Sequence, residues 1–357
     1  YVFGKMPKSK VEALYRRARD IYEQLRDGTD TDYRIVELAQ DFLNPSIPNA
    51  IPDFTGKDQV VENLTPLIAT TTAGEKTIRV LTYNIFGLPW PLTQNPWRFA
   101  EIGKLLSKKR TEPNGLDIVV LQEVFSGATL AAVTESGYPY VYAGPNGKAK
   151  GDEGFGLPSG VYILSKYPIE KTAFRTFENV QCYGSDCLAN KSVIMMRVKI
   201  PGVPLPVDIM TAHLQSHASA DPGSHTPQDV SRTRVSQMGE IKLLLDKESD
   251  PKIPVILAGD FNTYPGNAAY NWLERLTDFE NVGELCDTKL PGCVLTSGST
   301  PDNVWSQSLD LHFLRQGQLM TATPIEIGND MEERVNGIRL SDHVGLTATY
   351  KLSWPGK

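Results

Sequence analysis

Polar side chains follow the ends of several short apolar segments of this chain, where packing gives no reason for them. One segment ends in an asparagine, another in a glutamate and another in an Asp-x-Asn group, and histidines and further aspartates occupy similar positions. The residues concerned are Asn84, Glu123, His213, Asp260, Asn262, Asp310, Asp342 and His343. A single aspartate at a segment end is usually a cap or turn residue. Its repetition at many separate segments indicates a functional site.

The residue types in this set favour metal-assisted hydrolysis. Amide and carboxylate oxygens are hard ligands and, without a Cys/His ligand cluster, they suit Mg²⁺, Mn²⁺ or Ca²⁺ better than zinc. Histidine serves as a general acid or base near neutral pH, and an aspartate such as Asp310 can orient an imidazole such as His343. Because no serine, cysteine or threonine nucleophile motif is present, water is the expected nucleophile. These features predict hydrolysis of a phosphodiester or phosphomonoester.

Short β-branched segments between turn residues must position these side chains. Their composition predicts strands over residues 78–86, 117–125, 160–168, 191–200, 207–215, 255–262, 308–314 and 346–354. A helix is predicted over 227–247, with Thr226 as its N-cap and Pro227 in the first turn. Many strands with few helices indicate an α/β fold in which two sheets pack face to face with helices outside.

Residues 1–75 differ in texture from the rest of the chain. Positions 7–27 carry apolar residues at helical spacing, and a Pro/Asn-rich stretch and a Thr/Ala/Gly linker follow. We therefore expect an N-terminal helical extension over 1–75 and one catalytic domain over 76–357, not two domains of average size.

A family resemblance rests on the order of the motifs. They are TYN (82–84), LQEVF (121–125), the strand-end His213, GDFN (259–262), LD (309–310) and SDHVG (341–345). In this order they resemble the endonuclease/exonuclease/phosphatase superfamily of DNase-like metallohydrolases, over residues 78–352. The resemblance implies a four-layered αββα sandwich, which agrees with the two-sheet prediction.

The same resemblance implies roles for the metal-binding and phosphate-binding residues. Asn84 and Glu123 would hold the divalent cation, and Asp342 would lie next to the metal or its water. Asp260 and Asn262 would contact the metal-bound phosphate and the transition state.

The resemblance also implies the acid–base chemistry. His343 would be the general base that takes a proton from water, and Asp310 would stand behind it. We further expect His213 to donate to the phosphorane oxygens, and His213 or a metal-bound water to protonate the leaving group.

Three local features are similar to those of the neutral sphingomyelinases. GVYILSKYPIE (160–170) resembles their Gly…Ser-Lys-x-Pro-Ile segment, and HLQ (213–215) is followed by a helix. GSDCLANKSV (184–193) places Asp186 and Lys191 five residues apart, as in the loop of those enzymes that controls substrate access. We assign Asn190 of this loop to the same role, and Lys191 would also offset phosphate charge. The implied reaction is the cleavage of sphingomyelin to ceramide and phosphocholine.

Other functions stay open at this stage. The nuclease branch shares GDFN, so a secreted metal-dependent nuclease is the main alternative, beside another phospholipid or phosphoester hydrolase or a non-catalytic binding module. The inositol-phosphatase branch is disfavoured because SLDLHFL (308–314) replaces its Trp-Cys-Asp-Arg-Ile stretch. His312 falls on the same strand face as Asp310, either behind the site or simply packed in the core.

Charge and hydropathy bear on the partners. The formal net charge of −6 disfavours nucleic acid as the main partner, because non-specific DNA binders carry a basic face. No stretch approaches the ~20 apolar residues of a transmembrane helix, so contact with a phospholipid at a membrane surface would be peripheral. Trp90 and Trp97, on the loop after Asn84, are candidates for that contact or pack on the N-terminal helix.

The cysteines indicate a compartment. They fall in two close pairs, Cys182 with Cys187 and Cys286 with Cys293. Two local disulfides would suit an oxidising compartment, whereas four reduced and buried thiols would suit the cytosol. We expect the disulfides, and with them a secreted or otherwise extracytoplasmic protein.

Overall fold

The computed structural model describes residues 72–88, 95–146, 156–177, 180, 182–216 and 226–356. The expected helical extension over 1–75 lies outside these residues except for its last four positions, and Trp90 lies outside them too. The described residues otherwise belong to the segment that the sequence assigns to the catalytic domain.

Two large sheets form the centre of the described chain. The strands are β1 Gly74–Asn84, β2 Ile118–Gln122, β3 Tyr140–Ala143, β4 Tyr162–Ser165, β5 Ile169–Thr176, β6 Ser192–Val198, β7 Val207–Ala212, β8 Val255–Asp260, β9 Glu280–Asn281, β10 Val294–Leu295, β11 Asp310–Arg315, β12 Thr321–Asp330, β13 Arg334–Val335, β14 Ile338–Arg339 and β15 Gly345–Trp354. The first sheet has the strand order β10-β12-β15-β1-β2-β4-β3, and the second has the order β5-β6-β7-β8-β11-β9. Strands β13 and β14 form a separate hairpin.

The helices lie on the outer faces of these sheets. They are α1 Trp97–Thr111, α2 Ala131–Thr134, α3 Pro227–Glu248 and α4 Ala268–Thr277, whereas the single turn α5 Val282–Glu284 packs Val282 into the cluster between the sheets. Leu81 of β1 packs with Phe99 of α1 on one outer face. On the other, Met210 of β7 packs with Met238 of α3.

The layer between the sheets is apolar. Alternate residues of each strand point to opposite faces, so Val80 of β1 faces inward although Leu81 faces α1. Val80 joins Ile209 of β7 and Ile256 of β8 in one buried cluster. Helix, sheet, sheet and helix therefore stack in the αββα order, and the α/β sandwich expected from the sequence is confirmed.

The predicted strands occur at each of the expected segments, but the long strands β5 and β12 were missed. Strand β5 has a half-exposed, mostly polar sequence and lies at the edge of the second sheet. Strand β12 contains Pro324, where its pairing with β15 shifts register. Proline removes a ladder donor and is a poor strand signal, which explains why the sequence pattern did not indicate this strand.

The strand directions bring the site residues to one edge of the sandwich. In the first sheet β1 runs parallel to β2 and antiparallel to β15. In the second sheet β7 runs parallel to β8, and β11 is antiparallel to β8. The C-terminal ends of β1, β2, β7 and β8 and the N-terminal ends of β11 and β15 carry the polar residues identified in the sequence. These ends meet because each sheet places them on the same side.

The helix predicted over 227–247 is α3, and its N-terminus is capped as expected. Thr226 Oγ1 accepts a hydrogen bond from the Asp229 backbone N–H, and Asp229 Oδ2 accepts one from the Thr226 N–H. This reciprocal pair satisfies two of the amide groups that a helix start leaves unpaired. The cap fixes where the helix that covers the second sheet begins.

Both cysteine pairs are disulfides. Cys182 and Cys187 lie with their Cα atoms 5.3 Å apart, and Cys286 and Cys293 with theirs 4.7 Å apart. The first bridge closes the single helical turn that contains Asp186. It therefore constrains the loop that the sequence linked to substrate access.

Candidate active site

A histidine–aspartate pair joins the two sheets at the polar edge. Asp310 is the first residue of β11, and His343 lies two residues before β15. His343 Nδ1 and Asp310 Oδ2 are 2.6 Å apart, the distance of a strong charge-assisted hydrogen bond. The bond fixes the imidazole so that Nε2 faces Asp260, whose Oδ2 lies 3.9 Å away.

A second chain of contacts crosses between the sheets beside this pair. The Asn84 side chain at the end of β1 donates from Nδ2 to Glu123 Oε1 and to Asp260 Oδ2, each at 3.0 Å. Asp260 ends β8 in the opposite sheet, and its other oxygen accepts the Asn262 backbone N–H at 3.0 Å. Asn84 therefore links two carboxylates that belong to different sheets.

The carboxylates of this cluster are unusually easy to protonate. Burial raises the pKa of Glu123 to about 7, although the hydrogen bond from Asn84 opposes the change. Burial and the charge of Asp310 raise the pKa of Asp260 to about 6. Both pKa values rise because burial removes the carboxylates from water and brings their negative charges close together. A bound cation would lower both pKa values.

The two histidines respond to this environment in opposite ways. Burial lowers the pKa of His213 well below its usual value, and the charges of Lys191 and His343 act in the same direction. Burial also acts to lower the pKa of His343, but Asp310 and Asp260 outweigh it and raise that pKa well above its usual value. Without a cation to offset the carboxylate charges, this environment therefore favours the neutral form of His213 and the protonated form of His343.

Two residues that the sequence analysis did not single out hold the site loops together. Ser341 Oγ donates to the Asn84 carbonyl at 2.7 Å and accepts the His343 backbone N–H at 3.2 Å. The buried guanidinium of Arg98 on α1 donates to the carbonyls of Phe86 and Leu340. Ser341 could have been found from the sequence, because it belongs to the SDHVG motif. Arg98 could not, because every residue has a backbone carbonyl and the sequence does not show which carbonyls a side chain binds.

The Asp186–Lys191 pair abuts the end of β7. Lys191 is 5% exposed, and its Nζ lies 3.0 Å from Asp186 Oδ2 and 2.7 Å from the Leu214 carbonyl. Asp186 Oδ2 also accepts the Ser216 backbone N–H at 2.6 Å. The loop is thus tied to the segment that immediately follows His213.

Asn262 is tied to the same segment. Its side-chain Nδ2 donates to the Leu214 carbonyl at 3.2 Å, and the side chain is buried. His213 Nε2 lies 3.5 Å from Asp260 Oδ2. These contacts place His213, Asn262 and Lys191 around one short stretch of backbone.

Backbone strain marks three positions at the site edge. Phe86, Glu123 and Asn262 have φ values of 51°, 64° and 51°, in the left-handed region that residues other than glycine rarely adopt. Such a conformation costs about 1–3 kcal/mol and persists where the surrounding structure enforces it. In Glu123 and Asn262 it turns the chain sharply after β2 and β8.

The remaining predicted residues lie in different surroundings. Asp342 is exposed, beside His343. The Asn190 side chain donates to the Asn146 carbonyl at 2.8 Å, so its amide is bonded to the segment that follows β3. Trp97 is the first residue of α1 and is 36% exposed.

The donor set fits a hard divalent cation at Glu123. Its Oε2 is buried and has no hydrogen-bond partner among the described residues, which is costly for a carboxylate unless a cation completes it. Asp260, Asp310 and His343 also offer ligand atoms within 4.8 Å of one another. Since Asp310 and His343 already bind each other, we regard Glu123, with neighbouring Asn84 and Asp342, as the better metal position.

A family model described as the Endonuclease/Exonuclease/phosphatase family matches residues 81–343. This span includes all the metal, phosphate and dyad residues discussed above. The chain therefore belongs to this family, whose named activities cleave phosphoester bonds. No curated protein sequence matches the chain.

Several solved structures share the fold. A beta toxin variant from Staphylococcus aureus with bound magnesium ions has a TM-score of 0.54 and 19% identity, over 76% of this chain and 99% of that one. Sphingomyelinase C from Streptomyces griseocarneus has a TM-score of 0.52 and 23% identity, over 77% and 99%. D. rerio TDP2 complexed with a single-strand DNA product has a TM-score of 0.54 and 21% identity, over 77% and 98%. At these identities the likeness establishes the fold.

No helix in the part of the chain that the structure describes is long and apolar enough to cross a bilayer.

Proposed function

We propose that the protein is a metal-dependent phosphodiesterase that hydrolyses sphingomyelin to ceramide and phosphocholine. The observation that carries the hydrolytic part is the His343–Asp310 hydrogen bond, which lies beside a carboxylate cluster suited to a cation. The Asp186–Lys191 ion pair supports the lipid substrate, because its sequence resembles the Asp…Lys loop of neutral sphingomyelinases.

His343 activates water in this proposal. Asp310 holds Nδ1, so Nε2 is the atom that takes the proton from water, in the neutral form of the ring that a cation bound at the acidic cluster would favour. The hydroxide formed attacks phosphorus in line with the ceramide oxygen, and the P–O bond to ceramide breaks as the new bond forms. Asp310 stabilises the imidazolium that results, because its carboxylate lies 2.6 Å from Nδ1.

Glu123 is the principal residue that would hold the cation, with Asn84 and Asp342 beside it. Mg²⁺ is the expected ion, with Mn²⁺ or Ca²⁺ as alternatives, and when bound it neutralises charge on a phosphoryl oxygen. Asn84 orients Glu123 through the Nδ2–Oε1 hydrogen bond and at the same time holds Asp260. One amide therefore orients two acidic side chains, Glu123 and Asp260.

We assign His213 and Asn262 as donors to the developing phosphorane oxygens. Both border the Leu214 segment, and His213 lies against Asp260. Because burial disfavours the protonated form of His213, a bound water is the better source of the proton that the ceramide oxygen takes up as it leaves. Lys191 holds this segment and keeps a cationic charge close to it.

The decisive assay uses purified protein with Mg²⁺ and then EDTA, on sphingomyelin vesicles and on plasmid DNA. Phosphocholine release without nicking supports the proposal. Nicking alone would identify a nuclease, the second candidate, which the fold shared with DNA-complexed TDP2 favours and the net charge of −6 disfavours. Loss of both activities would leave a binding module.

Substitution of the dyad and of the metal residue tests the mechanism. His343→Ala and Glu123→Ala should each lower turnover by ~10³-fold or more, as loss of a general base or a metal ligand does. Near-wild-type turnover in both variants would rule out the site. Circular dichroism on the same samples separates a chemical loss from unfolding.

An extracytoplasmic location belongs to the same proposal. Two disulfides form and persist in oxidising compartments, and both cysteine pairs are bridged. Peripheral contact with the substrate membrane is consistent with the partly exposed Trp97, whereas Trp90 lies outside the described residues. Vesicle co-sedimentation of Trp97→Ala against the wild type tests the membrane contact.

A further inference from the structure

His312 lies between the sheets, two residues along β11 from Asp310. Its side chain is fully buried, and strand alternation places it on the same face of β11 as Asp310. That face looks across the sandwich toward β15, the strand that His343 precedes. His312 is therefore the next inward-facing position after the aspartate of the dyad.

Both ring nitrogens of His312 are bound by β15. Nε2 lies 3.0 Å from the Leu346 carbonyl and Nδ1 lies 3.0 Å from the Tyr350 hydroxyl. A carbonyl only accepts, so Nε2 carries the proton and donates to Leu346, while Nδ1 accepts from Tyr350. Burial lowers the pKa of His312 to about 4, so the ring is neutral near pH 7, as this pattern requires.

Two hydrogen-bonded rungs consequently join the same two chain segments. One rung is Asp310 to His343 and the other is His312 to Leu346. The segments are 310–312 in the second sheet and 343–346 at the start of β15 in the first. Three residues of extended chain span at most about 10 Å, so His343 is tethered closely to the residue that His312 holds.

We propose that His312 is a positioning residue for the His343–Asp310 dyad, fixing through its bond to Leu346 the place where His343 meets Asp310. The geometry of the dyad is the basis of this inference. Only its effect on the reaction rate rests on the proposed function. Without the bond to Leu346, the start of β15 can shift against β11 and the dyad contact loosens. A misplacement of about 1 Å in a catalytic group costs up to about a hundredfold in rate.

A purely structural role makes a different prediction. Strand β11 is also held in its own sheet by β8, where His312 pairs with Ala258. If packing were the whole contribution of His312, its removal would lower stability and leave the His343 ring in place. The test must therefore report on the His343 ring itself.

Three substitutions separate the two hydrogen bonds. His312→Gln places an amide donor near the Nε2 position and retains the bond to Leu346. His312→Asn places its amide near the Nδ1 position and retains only the contact with Tyr350. His312→Phe removes both bonds but keeps a ring. Val203→Ala is the matched control, because Val203 belongs to the same buried cluster but lies in the turn before β7, and the site is at the other end of that strand.

The readout is the ¹⁵N NMR spectrum of the full chain labelled at histidine, with His343 assigned from a His343→Gln sample. We expect the Nδ1–H signal of His343 to move or disappear in His312→Asn and His312→Phe, and to persist in His312→Gln and Val203→Ala. An unchanged signal in a folded His312→Asn protein overturns the proposal. So does an equal change in Val203→Ala.

Kinetics on sphingomyelin vesicles supply a second measurement. His312→Asn should lower kcat by about tenfold to a hundredfold with KM unchanged, and His312→Gln should restore most of it. A wild-type protein that does not cleave sphingomyelin would contradict the proposed function, while the NMR comparison would still decide the positioning role.

Discussion

His312 makes the stability of the folded chain depend on pH in a way that one substitution should remove. Burial lowers the pKa of this histidine to about 4, from the ~6.5 of an exposed histidine. The unfolded chain then binds a proton at pH values where the folded chain does not, so the free energy of unfolding falls as the pH drops below about 6.5. His312→Gln retains the donor to Leu346 but does not titrate, and its stability should lack this contribution.

The size of the effect follows from the two pKa values. At about 1.4 kcal/mol per pKa unit, the difference between about 6.5 and about 4 corresponds to about 3.4 kcal/mol, reached in full only below pH 4. Near pH 5 the ring is mostly protonated in the unfolded chain and mostly neutral in the folded chain. About 2 kcal/mol of the contribution is therefore lost between about pH 7.5 and pH 5.

Urea unfolding of the wild type and His312→Gln at these two pH values measures the contribution. The other buried groups titrate in both proteins, so the difference between the two losses isolates His312. We expect the wild type to lose about 2 kcal/mol more than the variant on acidification. Equal losses in the two proteins would refute the assignment of a neutral, doubly bonded ring.

Three further features give direct predictions. Mg²⁺ should raise the melting temperature of the wild type but not of Glu123→Gln, because the unpartnered carboxylate oxygen is the expected ligand; equal shifts in thermal melts would contradict the metal position. Gly259→Ala should lower the free energy of unfolding by about 2 kcal/mol or more, because a Cβ at Gly259 would lie 2.3 Å from the Ala212 carbonyl oxygen. An unchanged urea midpoint would contradict this close approach. Replacing Cys182 and Cys187 together by serine should lower the free energy of unfolding by about 2 kcal/mol, because the bridge closes a short loop. If the reduced wild type melts well above this variant, loss of the bridge does not explain the lower stability.

The fold and the positions of most site residues could be predicted because their signals are local. The GDFN motif follows an apolar segment that can only be a buried strand, so Asp260 and Asn262 are placed at a strand end by the sequence itself. The parallel and antiparallel strand directions then bring such ends together without further information. Local patterns also sufficed for α3, whose start depends on Thr226 and Asp229 alone.

The partners of these residues could not be predicted, because they depend on which elements face one another. Asn84 and Asp260 are 176 positions apart and belong to different sheets. The sequence left two roles open for His312, and the choice required knowing that Tyr350 lies opposite. Arg98 binds backbone carbonyls, which every residue type has, so its contribution to the site loops was not visible in the sequence.

The hydrogen bonds from Asn84 to Asp260 and from His343 to Asp310 both span the gap between the sheets. The width of that gap is set by the volumes of the aliphatic side chains that fill it, among them Val80, Ile209 and Ile256. Close-packed interiors transmit small changes in volume as displacements. The reaction geometry is therefore mechanically coupled to the core, so that a methyl group gained or lost far from the substrate alters the catalytic distances, and core and active site must change together as the sequence drifts.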